Sequence, residues 1–292
     1  MRNLCSWSWA FALLALASPA FAQDEAVLWA AGDIASCNWT GDETTAALLE
    51  RLGAPDAGWV AALGDLAYPA GTSRQFARCY DPSWGRFRER TLAVAGNHEY
   101  YTRKAAGFFG YFGAEAAHPP IGFAAHRIGS WSVYALDSRC LLDQSCLPGG
   151  ELYARLEAAL REDPARCSLV LVHHPRFSSG VHGSNARMQP LWALFQRYGV
   201  ELVLSGHDHH YERFAPLDAE GRSDPERGTV QFVAGTGGAG LRKLRQRASG
   251  SLFADDAHHG VLELTLAEGR YTWRFVSTED EVLDAGAAGC HD

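Results

Sequence analysis

Five short segments of the chain contain residues that bind metal ions, and each follows a run of apolar and β-branched residues. The segments are Gly32-Asp33, Gly64-Asp65-Leu66-Ala67-Tyr68, Gly96-Asn97-His98-Glu99, Val172-His173-His174-Pro175 and Gly206-His207-Asp208-His209. Carboxylate, phenol, amide and imidazole groups suit zinc, manganese or iron rather than soft copper chemistry. Sites in open α/β sheets lie beyond the carboxyl ends of the strands, so we expect these side chains to meet there.

The elements that position these residues are predicted to be strands. The apolar runs before the five segments cover residues 27–31, 59–63, 92–95, 168–171 and 200–204. Their length and their β-branched composition favour buried strands. We therefore predict that five strands of one sheet deliver the metal-binding side chains to a single place.

Helical patterns alternate with these strands over the first two thirds of the chain. They predict helices over 42–51, 151–161 and 185–198, the first of them capped by Asp42. The last third has strand patterns over 230–234, 261–266 and 271–276, and residues 123–136 predict a hairpin. We predict an α/β fold, a four-layer α/β/β/α sandwich of two mixed β-sheets flanked by helices.

The first residues are typical of a secretory signal. Arg2 is followed by an apolar stretch from Trp9 to Leu16 and by the small-residue cleavage pattern Ala20-Phe21-Ala22. We therefore expect residues 1–22 to be a signal peptide, residues 23–292 to form a single domain, and the mature protein to be secreted or periplasmic. The apolar stretch is too short to span a bilayer, so no membrane anchor is expected.

The cysteines fit an exported protein. Removal of residues 1–22 leaves six of the 7 cysteines, and an even number favours disulfides outside the cytoplasm. Six cysteines allow 15 full pairings. We expect Cys140 to pair with Cys146, and a bond between Cys167 and Cys290 would hold the C-terminus on a central strand. The chain has no C-x-x-C pair, which argues against zinc bound by thiolates.

The five segments, in this order, resemble the calcineurin-like metallophosphoesterase superfamily, and specifically the small, secreted bacterial members of its purple acid phosphatase branch. The superfamily pattern begins D-x-H, but the third position here is Ala35, so that metal-binding histidine is absent. The purple acid branch uses the tyrosine of G-D-x-x-Y instead, and Tyr68 occupies this position. The resemblance extends from Gly32 to His209.

The resemblance implies a centre of two metal ions. One ion would be bound by Asp33, Tyr68 and His209, the other by Asn97, His173 and His207, and Asp65 would bridge the two. A phenolate and carboxylates favour a trivalent ion such as Fe(III), whereas imidazoles and an amide suit divalent iron, zinc or manganese. A phenolate bound to iron would colour the protein purple.

Two further histidines are predicted to act on the substrate. The family resemblance implies that His98, next to Asn97, faces the substrate, and His182 resembles a second histidine of this kind. Either imidazole can bind phosphate or act as a general acid. The predicted reaction is hydrolysis of phosphomonoesters by in-line attack of a metal-bound hydroxide. Four neighbours are predicted to orient the ligands: Glu99, His174, Asp208 and His210.

Two other functions remain open on the same residues. A phosphodiesterase would use identical metal ligands and differ only in the shape of its pocket. A non-catalytic exported protein that binds metal or phosphate is the third hypothesis. The formal net charge of −8 does not indicate a basic surface for nucleic acid, so the expected partner is a small phosphate ester. The sequence does not indicate an oligomeric state.

Overall fold

The computed structural model describes residues 25–54, 57–113, 116, 122–163 and 165–291. The predicted signal peptide lies outside these residues. Within the described ranges, no helix combines the length and the apolar character needed to cross a bilayer.

The described residues form fifteen strands and six α-helices. The strands are β1 (Ala26–Ala31), β2 (Ala35–Ser36), β3 (Trp59–Ala62), β4 (Ala67–Tyr68), β5 (Thr91–Ala93), β6 (Phe123–Ile128), β7 (Trp131–Leu136), β8 (Cys167–Val172), β9 (Leu202–Ser205), β10 (Tyr211–Phe214), β11 (Val230–Ala234), β12 (Ser251–Asp255), β13 (Gly260–Ala267), β14 (Arg270–Ser277) and β15 (Val282–Gly289). The helices are α1 (Gly41–Arg51), α2 (Ser73–Gln75), α3 (Ala106–Phe112), α4 (Cys140–Asp143), α5 (Glu151–Glu162) and α6 (Gln189–Arg197).

The strands form two large mixed sheets. The first has the order β15-β14-β13-β1-β3-β5 and the second the order β12-β10-β11-β9-β8-β7-β6, while β2 and β4 form a separate short pair. Strands β1, β3 and β5 are parallel in the first sheet, and β7, β8, β9 and β11 are parallel in the second. The remaining pairings within the two sheets are antiparallel.

Three hydrophobic clusters show how the layers are stacked. The cluster between the sheets includes Leu28 and Phe275 of the first sheet and Leu169 of the second. A second cluster includes Trp84 and packs on the outer face of the first sheet with α1, and a third includes Trp192 and packs on the outer face of the second sheet with α5 and α6. Each sheet is therefore buried on both faces, which confirms the predicted four-layer α/β/β/α sandwich.

The predicted helices and the hairpin are present, with two differences at helix starts. Asp42 does not cap α1; Thr40 holds the N-cap position, and the buried Asp42 carboxylate instead accepts a hydrogen bond from Ser83 Oγ at 2.5 Å. The helix predicted from residue 185 begins with a 3-10 turn, where the Asn185 side chain accepts a hydrogen bond from the backbone N–H of Arg187. Pro190 then lies in the first turn of α6, where its missing N–H leaves no helical bond unmade.

Three disulfides connect the layers and loops of the described chain. Cys140 is bonded to Cys146 and Cys167 to Cys290, as expected from the sequence. The third bond joins Cys37, after β2, to Cys79. The Cys167–Cys290 bond attaches the residue that follows β15 of the first sheet to β8 of the second.

Candidate metal centre

The five motif segments follow strands of both sheets, so the prediction of a single sheet is wrong. Asp33, Asp65 and Asn97 follow the parallel strands β1, β3 and β5 of the first sheet. His173 and His207 follow β8 and β9 of the second. The loops after these strands meet at one end of the sandwich because the two sheets pack face to face.

One group of side chains at this end consists of Asp33, Tyr68 and His209. The Tyr68 Oη atom lies 2.9 Å from Asp33 Oδ1 and 3.1 Å from His209 Nε2. His209 Nε2 lies 3.2 Å from the same Asp33 oxygen. Separations of about 3 Å are those of neighbouring ligand atoms around one metal ion bound at about 2.1 Å.

A second group consists of Asp65, Asn97, His173 and His207. His173 Nε2 lies 3.2 Å from Asn97 Oδ1 and 3.3 Å from Asp65 Oδ2. One ligand atom from each of Asp65, His173 and His207 can be chosen so that all three lie within 4.8 Å of one another. Asp65 Oδ2 is also 3.4 Å from Tyr68 Oη, so Asp65 contacts both groups. The structure thus brings all seven predicted ligands together; this set is called the ligand cluster below.

Three residues of the ligand cluster have an unusual backbone conformation that directs their side chains toward the cluster. Asp33, Asp65 and His207 have φ angles of 58°, 52° and 71°, in the left-handed region that residues other than glycine rarely adopt. Two ligand side chains also lie so close to a neighbouring backbone that only glycine fits there. A Cβ atom on Gly96 would lie 2.2 Å from Asp65 Oδ1, and one on Gly64 would lie 2.5 Å from His173 Nδ1. Gly96 therefore leaves room for the Asp65 carboxylate, and Gly64 for the His173 imidazole.

Backbone carbonyls set the orientation of two imidazoles. His173 Nδ1 donates a hydrogen bond to the Leu63 carbonyl oxygen at 2.8 Å, and His209 Nδ1 donates to that of Gly240 at 2.8 Å. A carbonyl oxygen only accepts, so Nδ1 carries the proton and Nε2 points into the ligand cluster. This is the usual arrangement for a histidine that binds a metal ion through Nε2.

Glu99 has a larger part in the site than its sequence position indicates. Its buried carboxylate accepts hydrogen bonds from the backbone N–H groups of Asp65 at 2.9 Å, Leu66 at 2.9 Å and Gly96 at 2.8 Å. Burial, together with the charge of Asp65, raises the pKa of Glu99 to about 7. The Glu99 carboxylate thus links the loop after β3 to the loop after β5. A short-range sequence pattern does not show such a contact.

The charges of the ligand cluster favour a bound cation. Burial alone would raise the pKa of Asp33, but His209 and two further histidines lower it below its usual range. Burial would likewise lower the pKa of His173, but Asp65 and Asp33 raise it to about 10. A proton on His173 thus balances buried carboxylates. A metal ion would balance the same charges, and its binding would release that proton.

One polar atom in the ligand cluster has no hydrogen-bond partner. His207 Nδ1 is buried and unpaired among the described residues. Burial and the charges of His173 and His174 lower the pKa of His207, which keeps this imidazole neutral. This is the protonation state in which a histidine can bind a metal ion. The donors and their spacing therefore fit the metal pair that the sequence predicts.

The two predicted substrate histidines lie beside different groups of the ligand cluster. The His98 ring centre is 4.4 Å from that of Tyr68, and His98 Nδ1 donates to the Pro69 carbonyl oxygen at 2.7 Å. The His182 ring stacks on His207 with centres 4.3 Å apart, and its Nε2 lies 3.0 Å from Arg242 Nη1. The contact with Arg242 was not predicted, because 60 residues separate the two positions.

The other three residues predicted to orient the ligands have different hydrogen-bond partners. Asp208 accepts hydrogen bonds from the backbone N–H of His182 at 3.1 Å and from the Ser178 hydroxyl. His174 Nδ1 lies 2.7 Å from Ser138 Oγ, and His210 Nε2 lies 3.0 Å from a Glu212 carboxylate oxygen. Asp208 therefore stabilises the loop that contains His182, which is predicted to face the substrate. It does not orient an imidazole of the ligand cluster.

The fold and the ligand cluster agree with a known family. The model of the calcineurin-like phosphoesterase family matches residues 26–211, which include every motif described above. The chain belongs to the calcineurin-like phosphoesterase family. Its relatives include purple acid phosphatases.

Two plant relatives and one solved structure show the extent of this likeness. "Probable inactive purple acid phosphatase 1" of Arabidopsis thaliana is 28% identical over 76% of this chain and 41% of its own length. "Fe(3+)-Zn(2+) purple acid phosphatase 12" of the same plant is 29% identical over 52% of this chain and 36% of its own. A purple acid phosphatase from yellow lupin (Lupinus luteus) seeds covers 91% of this chain and 54% of its own with a TM-score of 0.73 at 20% identity. The chain thus spans less than half the length of these curated relatives.

Proposed function

We propose that the protein is a phosphatase that hydrolyses phosphomonoesters with a pair of metal ions. The observation that supports this most strongly is the convergence of the seven predicted ligands around Asp65, at one end of the sandwich. Two bound metal ions hold the oxygens of a phosphate group and lower the pKa of a water molecule so that it can attack phosphorus. Membership of a phosphoesterase family agrees with this chemistry.

The proposed division of the ligands follows the two groups. Asp33, Tyr68 and His209 would hold one ion, Asn97, His173 and His207 would hold the other, and Asp65 would contribute to both. The phenol of Tyr68 is deprotonated only with a strongly charged partner, because burial and the charge of Asp33 raise its pKa far above the usual value. We therefore assign Fe(III) to the Tyr68 group and divalent iron, zinc or manganese to the other.

The remaining residues act on the phosphate and the leaving group. His98 and His182 lie beside Tyr68 and His207, so a phosphate bound at the ligand cluster would have one imidazole near each group. Arg242 adds a positive charge next to His182. We assign binding of phosphate oxygens and protonation of the leaving alcohol to these two histidines.

The charge near the ligand cluster favours monoesters over diesters. A terminal phosphate carries two negative charges near neutral pH, whereas a diester carries one. The positive charge of Arg242 beside His182 therefore attracts the monoester more strongly. The contact between Arg242 and His182 therefore supports a phosphatase over a phosphodiesterase.

We also propose that the protein works outside the cytoplasm. Three disulfides in the described chain agree with an oxidising compartment. Mass spectrometry of the exported protein would identify its N-terminus. A first residue other than Gln23 would contradict the predicted cleavage site.

The central test compares two esters with one metal-loaded protein. The hydrolysis of p-nitrophenyl phosphate and of bis(p-nitrophenyl) phosphate is measured together with metal content by elemental analysis. We expect two metals per chain and a higher kcat/KM for the monoester. A higher value for the diester would identify a phosphodiesterase. A protein with two bound metals that hydrolyses neither ester would be a non-catalytic binding protein.

A further inference from the structure

A cavity of about 430 Å³ opens beside the ligand cluster. Gly96, Asn97 and His174 line one side of it. Asn97 also lies in the ligand cluster, 3.2 Å from His173. The cavity is therefore continuous with the place where the phosphate group is proposed to bind.

More of the cavity surface is apolar than polar, and its apolar wall includes Tyr100, Tyr101, Leu141 and Leu142, which follow β5 and β7. Arg139 and Arg187 add charged groups to the lining. Tyr101 is 66% exposed and Leu142 68% exposed. Large exposed apolar side chains that meet around one cavity are typical of a ligand-binding site.

The apolar wall is held in place by several contacts. The Cys140–Cys146 bond closes the short loop that contains Leu141 and Leu142. The Arg139 guanidinium lies over the Tyr100 ring at 4.6 Å, and the Tyr100 hydroxyl donates a hydrogen bond to Asp137. A wall fixed in this way loses little conformational freedom when a ligand binds.

A second cavity of about 310 Å³ lies on the other side of His174 and Asn185. His182, Ser184 and His207 line it, so polar and ionisable side chains face its interior. It suits water and phosphate oxygens. The two cavities divide the surroundings of the ligand cluster into a polar and an apolar region.

We propose that the apolar cavity binds the leaving group of the phosphate ester and selects a planar, mainly apolar alcohol such as an aryl group. This inference rests on the proposed phosphatase function. A phosphate bound at the ligand cluster directs its ester oxygen to a neighbouring space, and this cavity is continuous with Asn97. Flat rings stack well on Tyr101 and on the planar guanidinium of Arg139.

The test uses two monoesters with leaving groups of different character. Initial rates are measured with 1-naphthyl phosphate and with glycerol phosphate for the wild type, Leu142→Ala and the control Leu252→Ala. Leu252 is also exposed, at 55%, but lies on the edge strand β12. For Leu142→Ala we expect KM for the naphthyl ester to rise about 3- to 10-fold, because part of a leucine contact is lost. For the same variant, kcat for both esters and KM for glycerol phosphate should stay within about twofold of the wild-type values. Leu252→Ala should leave kcat and KM for both esters within the same range.

The inference is wrong if Leu142→Ala leaves KM for the naphthyl ester unchanged, or if it raises KM for both esters by the same factor. Failure of the phosphatase proposal would look different, because the metal-loaded wild type would then hydrolyse neither ester. In that case, the binding of 1-naphthyl phosphonate to the wild type and to Leu142→Ala is compared by calorimetry. Equal affinities would contradict the apolar binding site independently of turnover.

Discussion

Asp33, Tyr68 and His209 form a closed half of the ligand cluster, in which the three donor atoms lie 2.9 to 3.2 Å apart. His207 belongs to the other half, where its Nδ1 atom has no partner among the described residues and its ring borders the polar cavity. Asn97, of the same half, borders the apolar cavity. All three side chains of the first half thus contact one another, whereas His207 and Asn97 of the other half border the two cavities.

This difference indicates separate roles for the two halves. A preassembled group with a phenol and a carboxylate holds an ion tightly, because little rearrangement accompanies binding. We expect the half with a neutral, unpaired imidazole to exchange its ion more readily. The predictions that follow test this division.

Replacing the residue shared by both halves should have the largest effect. Asp65 contacts Tyr68 and His173, so Asp65→Asn removes a negative charge next to both ions. We expect kcat to fall by more than the 10²–10³-fold that the loss of one electrostatic contact costs, and metal content to fall below two. Elemental analysis and p-nitrophenyl phosphate kinetics measure both quantities. A variant with two metals and wild-type kcat would contradict the shared position.

His98 should affect catalysis without affecting metal content. Its ring packs against Tyr68, and its backbone N–H, which the substitution retains, donates to Asp65 at 2.7 Å. We expect His98→Ala to lower kcat about 10²-fold, as the loss of a general acid does, with metal content near two. His258→Ala is the control, since His258 pairs with Asp255 and lies outside the ligand cluster. Full activity of His98→Ala would remove this histidine from the mechanism.

Chelation should separate the two halves directly. During gradual treatment of the iron-loaded protein with a chelator, we expect the ion of the His207 half to leave first and activity to disappear with it. A visible absorption band from phenolate bound to iron should persist until the second ion leaves, with dissociation rates differing about 10-fold or more. Tyr68→Phe should lack the band from the start. Simultaneous loss of both ions would mean that the two halves bind metal equally well.

The smallest effect is expected at Asp208, a positioning residue. Its carboxylate holds the loop of His182 through the backbone N–H and the Ser178 hydroxyl. We expect Asp208→Asn to lower kcat/KM about 10-fold, mainly through KM, because the loop is loosened while its residues remain. Asp218→Asn serves as the control, since the buried Asp218 carboxylate likewise accepts a backbone hydrogen bond but pairs with Arg222. A change in metal content instead of KM would assign Asp208 to the ligand cluster.

The convergence of the seven predicted ligands could be anticipated because each motif follows a strand within a few residues. Asp33 comes two residues after β1, and His173 comes directly after β8. The distribution of these strands over two sheets could not be predicted locally, since β1 pairs with β13 more than two hundred residues away. The Glu99 contacts and the Arg242–His182 contact depend on loops from distant parts of the chain, which short-range patterns do not describe.

The apolar cavity was missed for a similar reason. Its lining comes from residues after β5, after β7 and before α6, and none of these stretches forms a motif by itself. Leu141 and Leu142 appear in the sequence as ordinary helix or loop residues. Only the folded chain places them opposite Asn97.

The left-handed backbone at Asp33, Asp65 and His207 has a consequence for the stability of the fold. Each such conformation costs on the order of 1–3 kcal/mol for a residue with a side chain. Glycine at any of these positions would relieve the strain but would remove a side chain of the ligand cluster. The candidate site is therefore maintained at a cost in folding free energy.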